Sequence, residues 1–513
     1  MPHIFLYGPS GSGKSTVGKI LADILNLPFL DLDVEIENSA RQSIPDMMVE
    51  HGEAFFRDLE TNALRSVSAS CETVVSLGGG TLLRTENRVI AETIGRVILL
   101  ETDLPTLVAR LLRDGNQRPL LAVKLENKLA HQLKVRKAHY RSFALRVDSS
   151  PAPGQVVRDI QRLLGRYHLG SMEPGYDVIV QEGVLDQLGE MLRSRNLGGP
   201  VLVVSDTNTS PLYGDRVLGS LQAAGYTTTQ LAIPAGEIHK NLETIVSLWH
   251  GCLKAGLDRK STIVSLGGGV VGDLAGFAAA TFMRGCVWVS VPTTLLAMVD
   301  ASLGGKTGFD LPEGKNLVGA FHPPRLVPVD PDVLSTLPDR ELRAGMAEVV
   351  KHGIIADPDL FALCTQGWDA VSSRIPEVVR RGIAVKVKII EEDPYESGIR
   401  AALNFGHTIG HAVELVSGFN LLHGEAVAIG MVIETRLAER ILETDPGLSE
   451  MLAGTLSGLG LPVEIPDNLD RADIIQSMKM DKKKTAGVVR FALPVRIGCV
   501  KVGVEVANLE ETL

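Results

Sequence analysis

Three stretches of this chain carry residue types that do chemistry, at spacings that bring them together. The first is Gly8-Pro9-Ser10-Gly11-Ser12-Gly13-Lys14-Ser15, directly after the apolar run Ile4 to Tyr7. It fits GxxxxGK[ST], in which loop N–H groups cradle phosphates, the lysine reaches the outer phosphates and the hydroxyl ligates Mg2+. Gly11, Ser12, Gly13, Lys14, Ser15 and Thr16 are therefore nucleotide-binding candidates, with Ser15 on the metal. The second stretch runs from Val264 to Asn316. Its apolar run ends in Gly267, Gly268 and Gly269, and Asp273 opens a small-residue segment that closes at Arg284. Backbone without side chains can approach a pyrophosphate, and a helix N-terminus adds favourable partial charge. A further apolar run, Val287 to Val291, delivers Thr293 and Thr294, and Asp300, Lys306, Lys315 and Asn316 are expected in loops beyond it. In the third stretch Glu348 and Lys351 lie three apart in a helical pattern, Asn404, His407 and His411 share a helical face, and His423 follows. Imidazoles with a carboxylate and an open position make a catalytic zinc set. HExxH is absent, so spacing alone leaves open which histidines would bind.

Downstream of the first loop come two carboxylates, Asp31 and Asp33, at the end of a strand pattern. Then follow Arg57, the run Ser76-Leu77-Gly78-Gly79-Gly80, Gln117-Arg118-Pro119, and Arg136 four residues before Tyr140. Singly, each arginine reads as a surface ion pair. In this order and spacing they resemble shikimate kinase over about residues 1–167. The resemblance implies that Asp33 binds shikimate hydroxyls and takes the proton from the attacking one, and that Asp31 supports the Mg2+ shell. Arg57 and Arg136 would clamp the carboxylate, which suits a planar guanidinium. Gly79 and Gly80 would let backbone approach the ring, and Arg118 would sit on a lid and stabilise the transferring phosphoryl. Two departures stand out. The family usually has Pro-Leu-Tyr where this chain has Ala138-His139-Tyr140, and no adenine-side arginine is found near Ser149, Ser150 and Pro151.

The second stretch, with GGGVVGD, PTTLLAMVDASLGGK and GKN in that order, resembles 3-dehydroquinate synthase, and the likeness extends over everything after about residue 174. It implies NAD+ lying across Asp206, Asn208, Glu237, Lys240, Gly269, Val270, Val271, Gly272, Asp273, Thr293 and Thr294, with Asp300, Lys306 and Lys315 beside it. It maps a Zn2+ (or Co2+) site onto Glu348, His407 and His423 and leaves His411 for proton or phosphate chemistry. Lys306, Lys351, Lys386, Arg400 and Asn404 would act on a heptulosonate phosphate, gripped also by Arg284, Asn316 and Lys482. Homodimerisation through the synthase segment is a family-level expectation.

The elements that must position these groups follow from pattern. The expected fold is α/β: a P-loop kinase domain with a parallel sheet over 1–167, and a linker over 168–174. A Rossmann-like NAD-binding domain over 175–330 and a mostly α-helical metal domain over 331–513 complete it. VSLGGG occurs at both Val75 to Gly80 and Val264 to Gly269, but the flanks differ, so these read as two independent strand-to-glycine turns. The 513 residues carry a formal charge of −10, which argues against nucleic-acid or anionic-membrane partners and leaves small molecules. No run of about 18 apolar residues is present, the start does not read as a signal peptide, and five scattered cysteines suit a reducing cytoplasm. Two alternatives stand beside this reading: a metal-dependent polyol or glycerol dehydrogenase in the C-terminal segment, and a P-loop regulatory module without a working acceptor site.

Overall fold

The computed structural model describes residues 3–67, 71–114, 119–312, 314–482 and 489–506. It divides into two compact units, Met1–Leu164 and Gly165–Leu513. Among the described residues no helix is long and apolar enough to cross a membrane.

The first unit is built on five parallel strands: β1 (His3–Tyr7), β2 (Phe29–Asp31), β3 (Val74–Ser76), β4 (Gly95–Glu101) and β5 (Leu145–Asp148). Their order across the sheet is β2-β3-β1-β4-β5. Ile4, Phe5, Leu6 and Tyr7 are all buried because helices cover both faces, as a central parallel strand requires. β1 therefore ends at the phosphate loop, and Gly13, in the left-handed region at φ 87°, turns the chain into the helix Lys14–Ile24. β2 stops at Asp31, whose carboxylate caps the helix Leu32–Ala40 by accepting the Asp33 N–H at 3.2 Å. Asp33 thus sits in a first helical turn, not on the strand face that alternation suggests.

The second unit holds β6 (Arg166–Leu169), β7 (Tyr176–Val180), β8 (Val201–Asp206), β9 (Thr228–Ile233), β10 (Thr262–Gly267) and β11 (Val287–Pro292). The antiparallel hairpin β12 (Lys306–Leu311) and β13 (Gly314–Phe321) follows, then β14 (Leu326–Val329). The main sheet runs β6-β7-β14-β11-β10-β8-β9 and is parallel except at β6. The stretch expected as a linker, 168–174, belongs to this unit: His168 and Leu169 end strand β6 and pair with Asp177 and Tyr176. Nor does residue 330 mark a boundary between compact bodies. One apolar core runs from Val264 and Val289 of the sheet through Met346 and Val350 to Met431, because the helices pack directly on the sheet.

Three further expectations are corrected here. Asp300 lies in a wide helical turn, Ala297–Ala301, closed by the Ser302 N–H on the Ala297 carbonyl, and not in an open loop. Lys306, Lys315 and Asn316 are strand residues of the β12–β13 hairpin. Asn404 closes a short turn, Ile399–Asn404, and Gly406 at φ 80° separates it from the helix His407–Val416. It therefore does not share a continuous helical face with His407 and His411. The helical region also ends in a hairpin, β15 (Arg490–Arg496) with β16 (Cys499–Glu505).

The helix His407–Val416 packs tightly against the helix His423–Ile441. A Cβ at Gly430 would stand 2.0 Å from the Gly406 carbonyl oxygen, a backbone atom that cannot swing aside. Gly430→Ala should force the two helices apart. We expect it to lower stability by about 1–3 kcal/mol in denaturant unfolding of the second unit; an unchanged midpoint would show that the helices can separate freely.

Candidate active sites

In the first unit the phosphate loop and the acceptor groups meet at the C-terminal ends of β1, β2 and β3. The Lys14 ammonium donates to the carbonyls of Gly8 and Pro9 at 3.0 Å each. Ser15 Oγ donates to Asp31 at 2.5 Å, so the hydroxyl and carboxylate proposed for Mg2+ are already adjacent. Burial lowers Lys14 to about 8, against the pull of Asp33 and Asp31. Burial, with Asp31 and Glu60 nearby, raises the Asp33 carboxyl to about 6.

The glycine run after β3 touches every described acceptor group that the sequence singles out. A Cβ at Gly80 would lie 2.7 Å from Arg57 Nη2, and one at Gly78 would lie 2.7 Å from Asp33 Oδ1. Arg136 Nη1 donates to the Gly79 carbonyl at 2.8 Å. Arg57 is held by Glu60, a buried carboxylate 2.6 Å from Nη1, and Glu60 also accepts from Thr81 Oγ at 2.5 Å. Arg118 lies outside the described residues.

One residue that the sequence does not single out, Arg110, and one that it does, His139, bear on the two departures. Arg110, on the helix Leu104–Asp114, donates to the carbonyls of Ser149 and Ser150 at 2.8 and 3.1 Å. It supplies a guanidinium where sequence reading finds none, but it lies 39 residues away in the chain, on a helix where it reads as a solvated charge. His139, in place of the usual leucine, meets the Tyr7 hydroxyl at 3.2 Å.

In the second unit most of the cofactor candidates lie at or just after the C-terminal ends of β8, β9, β10 and β11. The Asp206 carboxylate accepts the N–H groups of Asn208 (2.9 Å) and Thr209 (2.7 Å), which fixes the turn after β8. The helix Gly269–Thr281 begins two residues after β10, so Val270, Val271 and Gly272 lie in its first turn and Asp273 just beyond. Asp273 holds Lys240 at 2.6 Å, and Lys240 donates to Asn316 at 2.7 Å. Lys315 bridges Glu237 (3.0 Å) and Glu414 (3.1 Å). The Thr293 N–H donates to the Gly267 carbonyl at 3.0 Å, tying the β11 turn to the glycine turn.

Glu348, fully buried on the helix Asp339–Ala356, is the centre of the other set. His407 Nε2 lies 3.5 Å and His423 Nε2 3.8 Å from its Oε1, and the Lys351 ammonium lies against Oε2. Neither oxygen accepts a well-directed hydrogen bond. A buried carboxylate without such bonds is costly; Lys351 offsets part of that cost, and a divalent cation between Glu348 and the imidazoles would offset more. Nitrogens of His407, His411 and His423 lie within 4.8 Å of one another. The donors are those zinc or cobalt takes, so the residues fit such a metal. Burial, with Lys351 beside it, keeps His407 well below its usual range and hence neutral. Asp300, Glu348 and His352 form a second cluster, but Lys386, 2.5 Å from Asp300, and Lys351 already supply its positive charge.

Of the remaining substrate candidates, Asn404, Lys306, Arg400, Lys386 and Lys351 are held by bonds within this unit, while Arg284 lies beyond the far end of the helix that starts at the glycine turn. Glu396 joins Lys306 and Asn404, with the Asn404 amide at 3.2 Å. Arg400 is buried and donates to the carbonyls of Pro394 and Gly304. Lys386 also donates to the Asp300 carbonyl at 2.8 Å, and Lys351 to that of Leu403 at 2.8 Å. Arg284, at φ 66°, is exposed just before Gly285, in the turn that follows the helix Gly269–Thr281. Lys482 ends the helix Arg471–Lys482, and its side chain lies outside what is described.

A P-loop phosphotransferase unit joined to a unit with a dinucleotide turn and a histidine–carboxylate metal set defines the class. Sequence comparison makes it particular. Residues 10–164 match the shikimate kinase family model, residues 230–344 that of the 3-dehydroquinate synthase N-terminal region, and residues 345–484 that of its C-terminal region. The 3-dehydroquinate synthase of Symbiobacterium thermophilum is 47% identical over 342 residues, 65% of this chain and 95% of the relative. The chain belongs to the 3-dehydroquinate synthase family, preceded by a shikimate kinase domain. Among solved structures, 2-epi-5-epi-valiolone synthase from Streptomyces hygroscopicus subsp. jinggangensis, with NAD+ and Zn2+ bound, aligns with TM-score 0.61 and 29% identity. It covers 66% of this chain and 95% of its own. A 2-deoxy-scyllo-inosose synthase complexed with carbaglucose-6-phosphate, NAD+ and Co2+ aligns with TM-score 0.61 and 28% identity, over 66% of this chain and 94% of its own.

Glu434, also not singled out by the sequence, anchors the histidine helix from below. It accepts the N–H groups of Gly406 at 2.7 Å and Ile409 at 3.1 Å. Burial pushes its carboxyl from 4.5 up to about 8, although these N–H groups pull the other way. The folded value lies above the unfolded one, so its contribution to stability is complete below about pH 4.5 and lost as pH rises through about 8. The stability difference between the protein and Glu434→Gln should therefore shrink across that window in denaturant melts. A difference independent of pH would mean the buried group stays ionised.

Proposed function

We propose that the chain is a bifunctional enzyme. It phosphorylates shikimate with ATP, and it converts 3-deoxy-D-arabino-heptulosonate 7-phosphate to 3-dehydroquinate and phosphate with NAD+ and a divalent metal. The observation that carries the second activity is the closing of Glu348 between His407 and His423 beside Lys351. The polyol dehydrogenase alternative is not favoured, since the family models and relatives are synthases. Nor is a regulatory P-loop module, since Asp33, Arg57 and Arg136 converge on one glycine run.

In the kinase unit, the loop N–H groups of Gly11 to Thr16 and the Lys14 ammonium hold the phosphates, and Ser15 and Asp31 hold Mg2+. Asp33 orients the attacking hydroxyl and takes its proton. Arg57 and Arg136 bind the acceptor carboxylate as bidentate donors, Glu60 keeps Arg57 in place, and Arg118 offsets charge on the moving phosphoryl.

In the synthase unit, Glu348, His407 and His423 would hold Zn2+ or Co2+. Asp206, Asn208, Glu237, Lys240, Thr293, Thr294 and the Gly269 to Asp273 turn would hold NAD+. When bound, the metal supplies Lewis acidity at a substrate alcohol and NAD+ supplies reversible hydride acceptance. Lys351, Lys386, Arg400, Asn404 and Lys306 grip the carboxylate and phosphate and stabilise negative charge in a water-poor cleft. Asn316 and Lys482 extend that grip, and His411 manages a proton near the phosphate. We further propose a homodimer through the synthase unit. The exposed stripe Leu242, Val246 and Leu253 on the helix Leu242–Lys254 supports it. Residence in the cytoplasm is supported by the five free cysteines.

With heptulosonate phosphate, Zn2+ and trace NAD+, phosphate and dehydroquinate should appear in step, exceed the NAD+ supplied, and cease on chelation. Accumulating NADH would overturn the reading. With shikimate and ATP, Asp33→Asn should cut turnover by about two orders of magnitude or more; an unchanged rate would remove Asp33 from the reaction. Light scattering should give twice 55.0 kDa, and Leu253→Glu should shift the protein toward monomer.

A further inference from the structure

Glu414 has no role in the functions assigned so far, yet three observations place it within the metal set. It follows His407 and His411 on one helix at positions i, i+4 and i+7, so the three side chains share a face. It is buried, with its side chain 8% exposed. Its two oxygens point to different partners. Oε2 lies 3.5 Å from His423 Nδ1, while Oε1 accepts from the Lys315 ammonium at 3.1 Å. Lys315 is itself fixed, 3.0 Å from Glu237 and 4.4 Å above the centre of the Phe419 ring.

We infer that Glu414 is the positioning carboxylate for His423, and that Lys315 holds Glu414 in the orientation this requires. The inference rests on the reading of Glu348, His407 and His423 as metal ligands. An imidazole binds a metal through one nitrogen, and the tautomer that leaves that nitrogen bare is set by what the other nitrogen donates to. His423 has its Nε2 turned toward Glu348 and its Nδ1 toward Glu414. Donation from Nδ1–H to the Glu414 carboxylate leaves the Nε2 lone pair facing the Glu348 and His407 side. It also raises the basicity of the ring and fixes its plane. Because Lys315 occupies the other oxygen, Glu414 cannot rotate away from the ring without breaking a partly buried ion pair. A carboxylate that served only to pair Lys315 would have no reason to present its second oxygen to a histidine of the set.

The test uses the full chain and Zn2+ alone, with affinity measured by competition against a chelating dye and folding checked by circular dichroism. Glu414→Gln keeps the volume and removes the charge. It should weaken Zn2+ by about 10–100-fold, and Lys315→Met, which keeps the Glu414 charge but frees its carboxylate to turn, should weaken it by a smaller factor of about 3–10-fold. His423→Ala should abolish tight binding. With Co2+ in place of Zn2+, the visible absorption band should change in Glu414→Gln and change less in Lys315→Met. The inference fails if Glu414→Gln binds Zn2+ within about threefold of the unaltered protein while His423→Ala does not bind. The role given to Lys315 fails if Lys315→Met binds Zn2+ as tightly as the unaltered protein. If His423→Ala retains full affinity, the ligand assignment itself falls and takes the inference with it.

Discussion

A carboxylate with no well-directed hydrogen bond is the feature around which the larger unit is arranged. Glu348 sits in the middle of a long helix whose neighbours from Ala344 to Ile355 are buried. An ion in such a place is tolerated only if other charges or a metal replace its hydration. Lys351, one turn on, supplies one counter-charge, and two histidines arrive from other helices. To bring them, the helices His407–Val416 and His423–Ile441 must nearly touch, which is why Gly406, Gly410 and Gly430 face one another. The same close approach leaves the N-terminal N–H groups of the first helix buried, and Glu434 accepts two of them. Four carboxylates or histidines in one region are thus not four separate accidents. Each follows from seating one charge in an apolar core.

Both units use a strand that ends in glycines, but to different purposes. After β1 the glycines let the chain wrap back so that the Lys14 ammonium reaches the carbonyls of Gly8 and Pro9. After β3 a glycine run leaves room for other residues' side chains, since a Cβ at Gly80 would meet the Arg57 guanidinium. After β10 the glycines are short of space on the opposite side, against Thr294 and Val271, so that two turns close on one another. VSLGGG is therefore the same local answer to two unlike demands, and the differing flanks decide which: a short turn, Thr81–Leu83, in one case and a long helix from Gly269 in the other.

How much of this is legible in the sequence depends on whether a residue acts through its neighbours along the chain. The P-loop, the glycine turns and the paired Glu348 and Lys351 can be read because their geometry is local, three or four residues apart. The groups that escape such a reading act mostly at long range. Glu60 orients Arg57 from the next helical turn, which spacing permits but does not demand. Glu414 meets Lys315 across 99 residues, and Arg110 meets Ser149 across 39. On a helical wheel such residues look like ordinary polar positions, and only the fold reveals that they face inward. The errors of register have a similar origin. Asn404 fits the helical period of His407 and His411, but Gly406 at φ 80° breaks the helix between them, and a period cannot register a left-handed residue. Asp300, Lys306 and Lys315 read as loop residues because glycines surround them. Those glycines instead shape a wide helical turn and a hairpin.

The two chemistries also place opposite demands on their sites, and the fold keeps them in separate cores. Phosphoryl transfer to a hydroxyl needs the acceptor and the phosphate brought within bonding distance for one step, after which both products leave. That suits a small unit in which all the gripping groups lie at the end of one parallel sheet. Elimination of phosphate with borrowed oxidation needs one substrate to be held through several changes of charge without exchange. That suits a site walled by helices whose cations are fixed by buried bonds, such as Lys386 on Asp300 and Lys351 on Leu403. Since 3-dehydroquinate must still lose water and be reduced before it becomes shikimate, the product of one site is not the substrate of the other. Neither site therefore needs to face the other. The apolar clusters respect this: those of the first unit end at Leu164, and the main core of the second begins at Tyr167. Joining the units in one chain fixes their ratio and leaves each free to be stabilised by its own packing.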